Sequence, residues 1–118
     1  MKDMFEGELK IKKALVALAI EQSLQEFGGS LYDFVVTTLE KKYDCFLPAC
    51  YDHPEYLGEI LVGIQGNVSN VIFMSIYKKL ADVSEYQGIA SFLGLLETHM
   101  KLHDMMKIYQ NGIRRLSK

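Results

Sequence analysis

At 118 residues and 13.5 kDa, the chain has the length of one domain and enough sequence for one core without disulfides or metals. Its hydrophobic residues (49%) and charged residues (24%) sit near globular averages, which excludes disordered, collagenous and low-complexity classes. A net charge of −2 and a pI near 5.9 give no overall positive field for DNA or RNA.

Met1 to Lys13 is too charged for a secretory leader. The apolar run Ala14 to Ile20 is only seven residues long. Ile60 to Tyr77 carries no charge over 18 residues, yet Gln65-Gly66-Asn67 and Ser69-Asn70 interrupt it where lipid would leave polar groups unpaired. Two buried helices joined by a turn are therefore expected there, with no membrane partner. Two cysteines cannot frame a small secreted domain; with six methionines, they fit a reducing, cytoplasmic setting.

The first helix is expected over Leu9 to Phe27, with a polar stripe of Lys10, Lys13, Glu21 and Gln25 interrupted by Ala17, and most of its circumference buried. Gly28-Gly29 ends it. Ser30 and Asp33 read as a capping box opening a second helix. That helix has Leu31, Val35 and Leu39 in one apolar row, Tyr32, Val36 and Tyr43 beside it, and Asp33, Thr37 and Lys41 on the wet side, stopping near Tyr43. Asp44 to Tyr51 reads as a loop broken by Pro48. Asp52 is the expected cap of a third helix, with Pro54 in its first turn and Tyr56, Leu57, Ile60, Leu61 and Ile64 at helical spacing before a stop at Gly66. A fourth helix starts at Asn67 or Ser69 and runs to Leu80, placing Val68, Val71, Ile72, Ile76 and Leu80 inward. Val71 to Tyr77 favours strand by composition, but its apolar residues do not alternate. Ser84 to Gln87 reads as another capping box, opening one long helix to Gln110 that stops at Asn111-Gly112.

The fold expected is all-α: a compact bundle of about five helices with a long C-terminal helix. Residues 9–80 form a four-helix core, 84–110 the last helix and 111–118 a basic tail. The predicted core holds Leu15, Leu18, Val35, Leu39, Leu61, Ile64, Ile72 and Ile76.

Several of these boundaries form a familiar pattern: Ala19 to Phe27 followed by Gly28, then Leu39-Glu40-Lys41-Lys42-Tyr43, His53-Pro54-Glu55-Tyr56, Leu61, Ile64, Gly66, Ile72 and Tyr77-Lys78-Lys79-Leu80. Over about residues 15–80 the chain resembles a small archaeal family of Nitrososphaera-type signalling output domains. The resemblance implies an all-helical adaptor or output module and carries no catalytic residues. The long helix after Ser84 lies beyond it, and a fused sensor or receiver domain is not expected.

The sharpest local feature is a heptad seam: Phe92, Leu95, His99, Leu102, Met106, Tyr109, Ile113 and Leu116 alternate steps of three and four. Such a seam can grip a second copy of the chain. It can equally pack in cis, because Leu93, Leu96, Met100, Met105 and Ile108 widen the apolar surface. His99 and His103, four apart on one helix face, could share a zinc ion. Cys45, Cys50 and His53 supply further ligand types within nine residues, though at no standard finger spacing. A buried small hydrophobe is the plainer reading of each cysteine, and no CxxC marks the pair as redox-active.

No GxSxG elbow, phosphate loop or HExxH appears, and Asp52 and Glu55 read better as caps than as an acid pair, so an enzyme is not expected. Between Lys42 and Lys78 there is no Lys or Arg, whereas Asp44, Asp52, Glu55 and Glu59 fall there. Lys101, Lys107, Arg114, Arg115 and Lys118 make the end basic, a pairing of patches that could guide a partner. The function expected is a non-catalytic regulatory or signalling interaction domain acting through a helical surface, as a homodimer. The alternatives are a metal- or small-ligand-binding sensor and, on the basic tail alone, a DNA-binding regulator.

Overall fold

The computed structural model describes residues 2–64, 68–83 and 88–101, and within them every regular element is helical. The order is α1 (Lys2–Phe27), α2 (Gly29–Tyr43), a 3-10 segment (Leu47–Tyr51), α3 (Pro54–Val62), α4 (Val68–Leu80), a 3-10 turn (Ala81–Val83) and α5, helical over 88–101. The all-α class stands. The turn around Gly66, the expected start at Ser84 and everything after Lys101 lie outside the described residues.

α1 is the central strut. Val16, Ala19, Ile20, Ser23 and Leu24 are buried along it, the spacing that puts one face of a helix inward. The 3-10 segment, α2 and α4 all pack against it. It begins seven residues earlier than its polar pattern suggested, at Lys2 rather than Leu9. Its wet face is rotated from the Lys10–Gln25 stripe: Lys10 and Gln25 are exposed, but Lys13 and Glu21 are only half-exposed. Ile11, Ala14, Leu18, Gln22 and Gln25 point away from the core, and Leu18, expected inside, is 49% exposed.

α1 and α2 are joined by the single residue Gly28, at φ 157° and ψ 145°. That positive-φ extended conformation is effectively reserved for glycine. The chain therefore turns from one helix into the next without a capping side chain: α2 starts at Gly29, one residue before Ser30, and its N-cap makes no side-chain hydrogen bond. At its other end Asp44 takes the left-handed conformation (φ 51°, ψ 47°) and its N–H donates to the Glu40 carbonyl at 3.1 Å. Asp tolerates this geometry. Lys41 and Lys42 in the last turn complement the helix dipole.

The expected loop before α3 is ordered as a 3-10 turn, which carries Leu47 and Cys50 into the core. α3 is capped by the His53 backbone instead of the Asp52 side chain; Asp52 pairs with Lys13 of α1 at 3.0 Å. Pro54 does occupy the first helical position, where its missing N–H costs nothing. α3 ends at Val62, before Gly66. In α4, Ile72, Ile76 and Leu80 are buried as expected, while Val71 faces out. The helical period overrides the strand propensity of Val71 to Tyr77 because two steps of four put Ile72, Ile76 and Leu80 on one side.

Two glycines permit close approaches to α5. A Cβ on Gly58 would stand 2.8 Å from His99 Cδ2, and one on Gly88 would overlap the Tyr51 hydroxyl. Gly94, by contrast, has open space around its Cα. Replacing Gly94 with Ala should stabilise the protein by about 0.5–1 kcal/mol through helix propensity. Gly58→Ala, also helical, should forfeit that gain or become destabilising as the His99 ring is displaced. Urea denaturation of the two variants side by side checks this; equal stabilisation would mean that α3 and α5 do not meet at Gly58.

Candidate functional site

The predicted seam on α5 divides at its second member. Phe92 is 1% exposed and belongs to the molecule's own core with Ile89, Leu93, Leu96 and Met100. Leu95 is 58% exposed, but its outward neighbours are Ser91, Gly94, Thr98 and Lys101. His99 is half-buried over Gly58. The self-packing face has therefore claimed the first anchor, and no apolar outer stripe forms on α5 over the described residues. Leu102, His103, Met106 and Tyr109 lie outside them.

The proposed ligand set is described only in part, since His103 lies outside the described residues. Among the described residues no three His, Cys, Asp or Glu side chains come together to hold an ion. Cys50 is fully buried, and burial pushes its thiol up to about 12. Cys45 is half-buried and also raised, chiefly by burial and then by Asp44. Both are free thiols. His53 stands at the surface, with Nδ1 3.1 Å from Glu55 Oε1, and His99 is engaged with α3. The thiols should label in order: Cys45 before Cys50 with iodoacetamide on the native fold, followed by mass spectrometry, both rates rising with pH.

What the sequence did not signal is an aromatic stack joining α2 to α3. Tyr43 and Tyr56 lie parallel at 3.9 Å and 12°, and His53 lies parallel to Tyr56 at 4.6 Å and 12°. Two rings on one face at those offsets would overlap, so Tyr43 and His53 take opposite faces of Tyr56. The Tyr43 hydroxyl donates to Glu59 Oε2 at 3.0 Å, and Lys42 Nζ reaches Oε1 at 3.3 Å. These two contacts hold the Glu59 carboxyl below its ordinary range, the tyrosine hydrogen bond first. Two of the four acids of the expected acidic surface are paired with lysines, Asp52 with Lys13 and Glu59 with Lys42. The stack fastens α2 to α3, and the Tyr43 hydroxyl, Lys42 and Glu59 are tied to one another beside it.

One apolar feature left exposed is the outer row of α1. Ile11 (60% exposed), Ala14 and Leu18 follow steps of three and four directly opposite Val16, Ile20 and Leu24. Lys10 and Glu21 sit on the same flank of this row, and neither makes an ion pair among the described residues. Hydrophobic periodicity could have found the row, since Ile11 and Leu18 are seven apart; the charged stripe beside it drew the wet face to the wrong side.

Because the Glu59 carboxyl is depressed in the folded protein, its share of stability is present above the unfolded carboxylate range and lost as pH falls through the folded value. Tyr43→Phe should move the Glu59 titration upward toward the ordinary range and remove part of that acid sensitivity, as followed by carboxyl-carbon NMR. An unmoved Glu59 midpoint would mean that the hydroxyl does not hold it.

Comparison with protein-family models, with curated proteins and with solved structures finds no match for this chain.

Proposed function

We propose that the protein is a non-catalytic regulatory interaction domain that works through a helical surface and pairs with a second copy of itself. The observation that carries this reading is the exposed apolar row Ile11–Ala14–Leu18 on α1. A row at heptad-like steps keeps facing a partner helix over successive turns.

Charge favours an antiparallel pairing. Two-fold symmetry sets the same flank of each α1 against the other, so Lys10 of one copy comes beside Glu21 of the second, and the reverse pair forms with it. In that register Leu18 of each copy falls between Ile11 and Ala14 of the other. The resemblance to archaeal signalling output domains points to the same kind of role, transmission by contact. No specific observation favours the metal-sensing alternative over this one.

Sedimentation equilibrium at micromolar concentration should give twice the chain mass. Leu18→Glu should return it to one chain mass with helical content intact. Lys10→Glu should weaken pairing roughly several-fold, and adding Glu21→Lys should recover it. A wild-type monomer, or a dimer indifferent to Leu18→Glu, overturns the proposal.

A further inference from the structure

A second surface feature, separate from the α1 row, lies where the end of α1 meets α4. A groove of about 550 Å³ runs along α4 past Val71, Met74 and Lys78. It continues into an inner recess of about 230 Å³ walled by Phe27, Val71 and Ile72. Glu26 and Ser75 line both parts.

Three properties point to a ligand. The walls are apolar yet open: Phe27, Val71 and Met74 are each about half exposed. Ser23 lines the inner recess, is 3% exposed, and its hydroxyl has no hydrogen-bond partner. Buried hydroxyls are ordinarily satisfied, and a helical serine would usually find the carbonyl four residues back. Lys78, at the outer end, makes no ion pair among the described residues. Three further polar groups are engaged with one another: Lys79 Nζ is 2.7 Å from Glu26 Oε1, Ser75 Oγ donates to Glu26 Oε2 at 3.2 Å, and Lys79 Nζ donates to Ser75 Oγ at 3.0 Å; Asn70 also lines the groove. Glu26 is consequently a compensated carboxylate, its carboxyl held low by Lys79 first.

We propose that this groove binds a small amphipathic carboxylate: an aliphatic body along Val71, Met74 and Phe27, its anionic end at Lys78, and a hydrogen-bond acceptor at the far end for the Ser23 hydroxyl. Apolar burial supplies the attraction, while the two polar ends set orientation and length. The Ser23 donor requires an acceptor that a plain alkanoate lacks at its far end, so the site discriminates between the two.

The probes are decanoate and 10-hydroxydecanoate, with shorter ω-hydroxyalkanoates as a length series, titrated below aggregation and followed by ligand-observed NMR and by thermal shift. Saturable binding is expected, with the hydroxylated form preferred roughly three- to ten-fold at the matching length. Ser23→Ala should fold, melt at or above the wild-type temperature because an orphaned hydroxyl is removed, and lose the preference while still binding decanoate. Lys78→Gln should weaken both acids alike. No saturable binding by any member overturns the proposal, as does a preference that survives Ser23→Ala. Leu18→Glu, which breaks the pairing proposed above, should leave binding unchanged; loss of binding in that variant would place the ligand at the α1 row and overturn the groove assignment.

Discussion

The inner face of α1 is the constraint from which the remaining architecture follows. Val16, Ile20 and Leu24 are wholly excluded from solvent, and α2, the 3-10 segment and α4 all rest on that helix. Each fully buried branched aliphatic contributes about 1.5–3 kcal/mol relative to exposure. The surface ion pairs Lys13–Asp52 and Lys42–Glu59 contribute far less, because water and salt screen them. The charged contacts choose among arrangements that the apolar face has already made favourable.

Much of this was legible in the chain. The inward rows of α2 and α4, the stop at Tyr43 and the proline start of α3 all follow from period and punctuation. The caps were not legible. Ser30 and Asp52 had the right side chains, but the Gly28 turn and an ion pair to Lys13 made them unnecessary or engaged them elsewhere. Polar residues are ambiguous in this way because a cap and a tertiary partner use the same oxygen. The 3-10 segment was hidden for a similar reason: Pro48 signals a break in α-helix, and only the burial of Leu47 and Cys50 reveals that the break is itself packed.

The candidate surfaces were harder to read. α1 is apolar around most of its circumference, so periodicity alone left two directions for the core. The charged stripe beside Ala17 suggested one, and packing on three elements imposed another. The consequence is an apolar row left outside. On α5 the reverse occurred: the most regular seam in the sequence begins with Phe92, which the fold needs for its own interior. A heptad pattern records that a stripe is apolar and straight; it does not record whose atoms cover it. The groove near Ser23 had no linear signature, since its lining comes from helices nearly fifty positions apart in the chain.

The Tyr51 hydroxyl fills the volume that any side chain at position 88 would need. These two sites behave as a lock and its keyhole in evolutionary time: enlarging one requires the other to shift or shrink. Among diverged descendants of this chain, a residue with a Cβ at position 88 should therefore arrive together with a smaller residue than tyrosine at position 51, a paired exchange visible in sequences before any further coordinates exist.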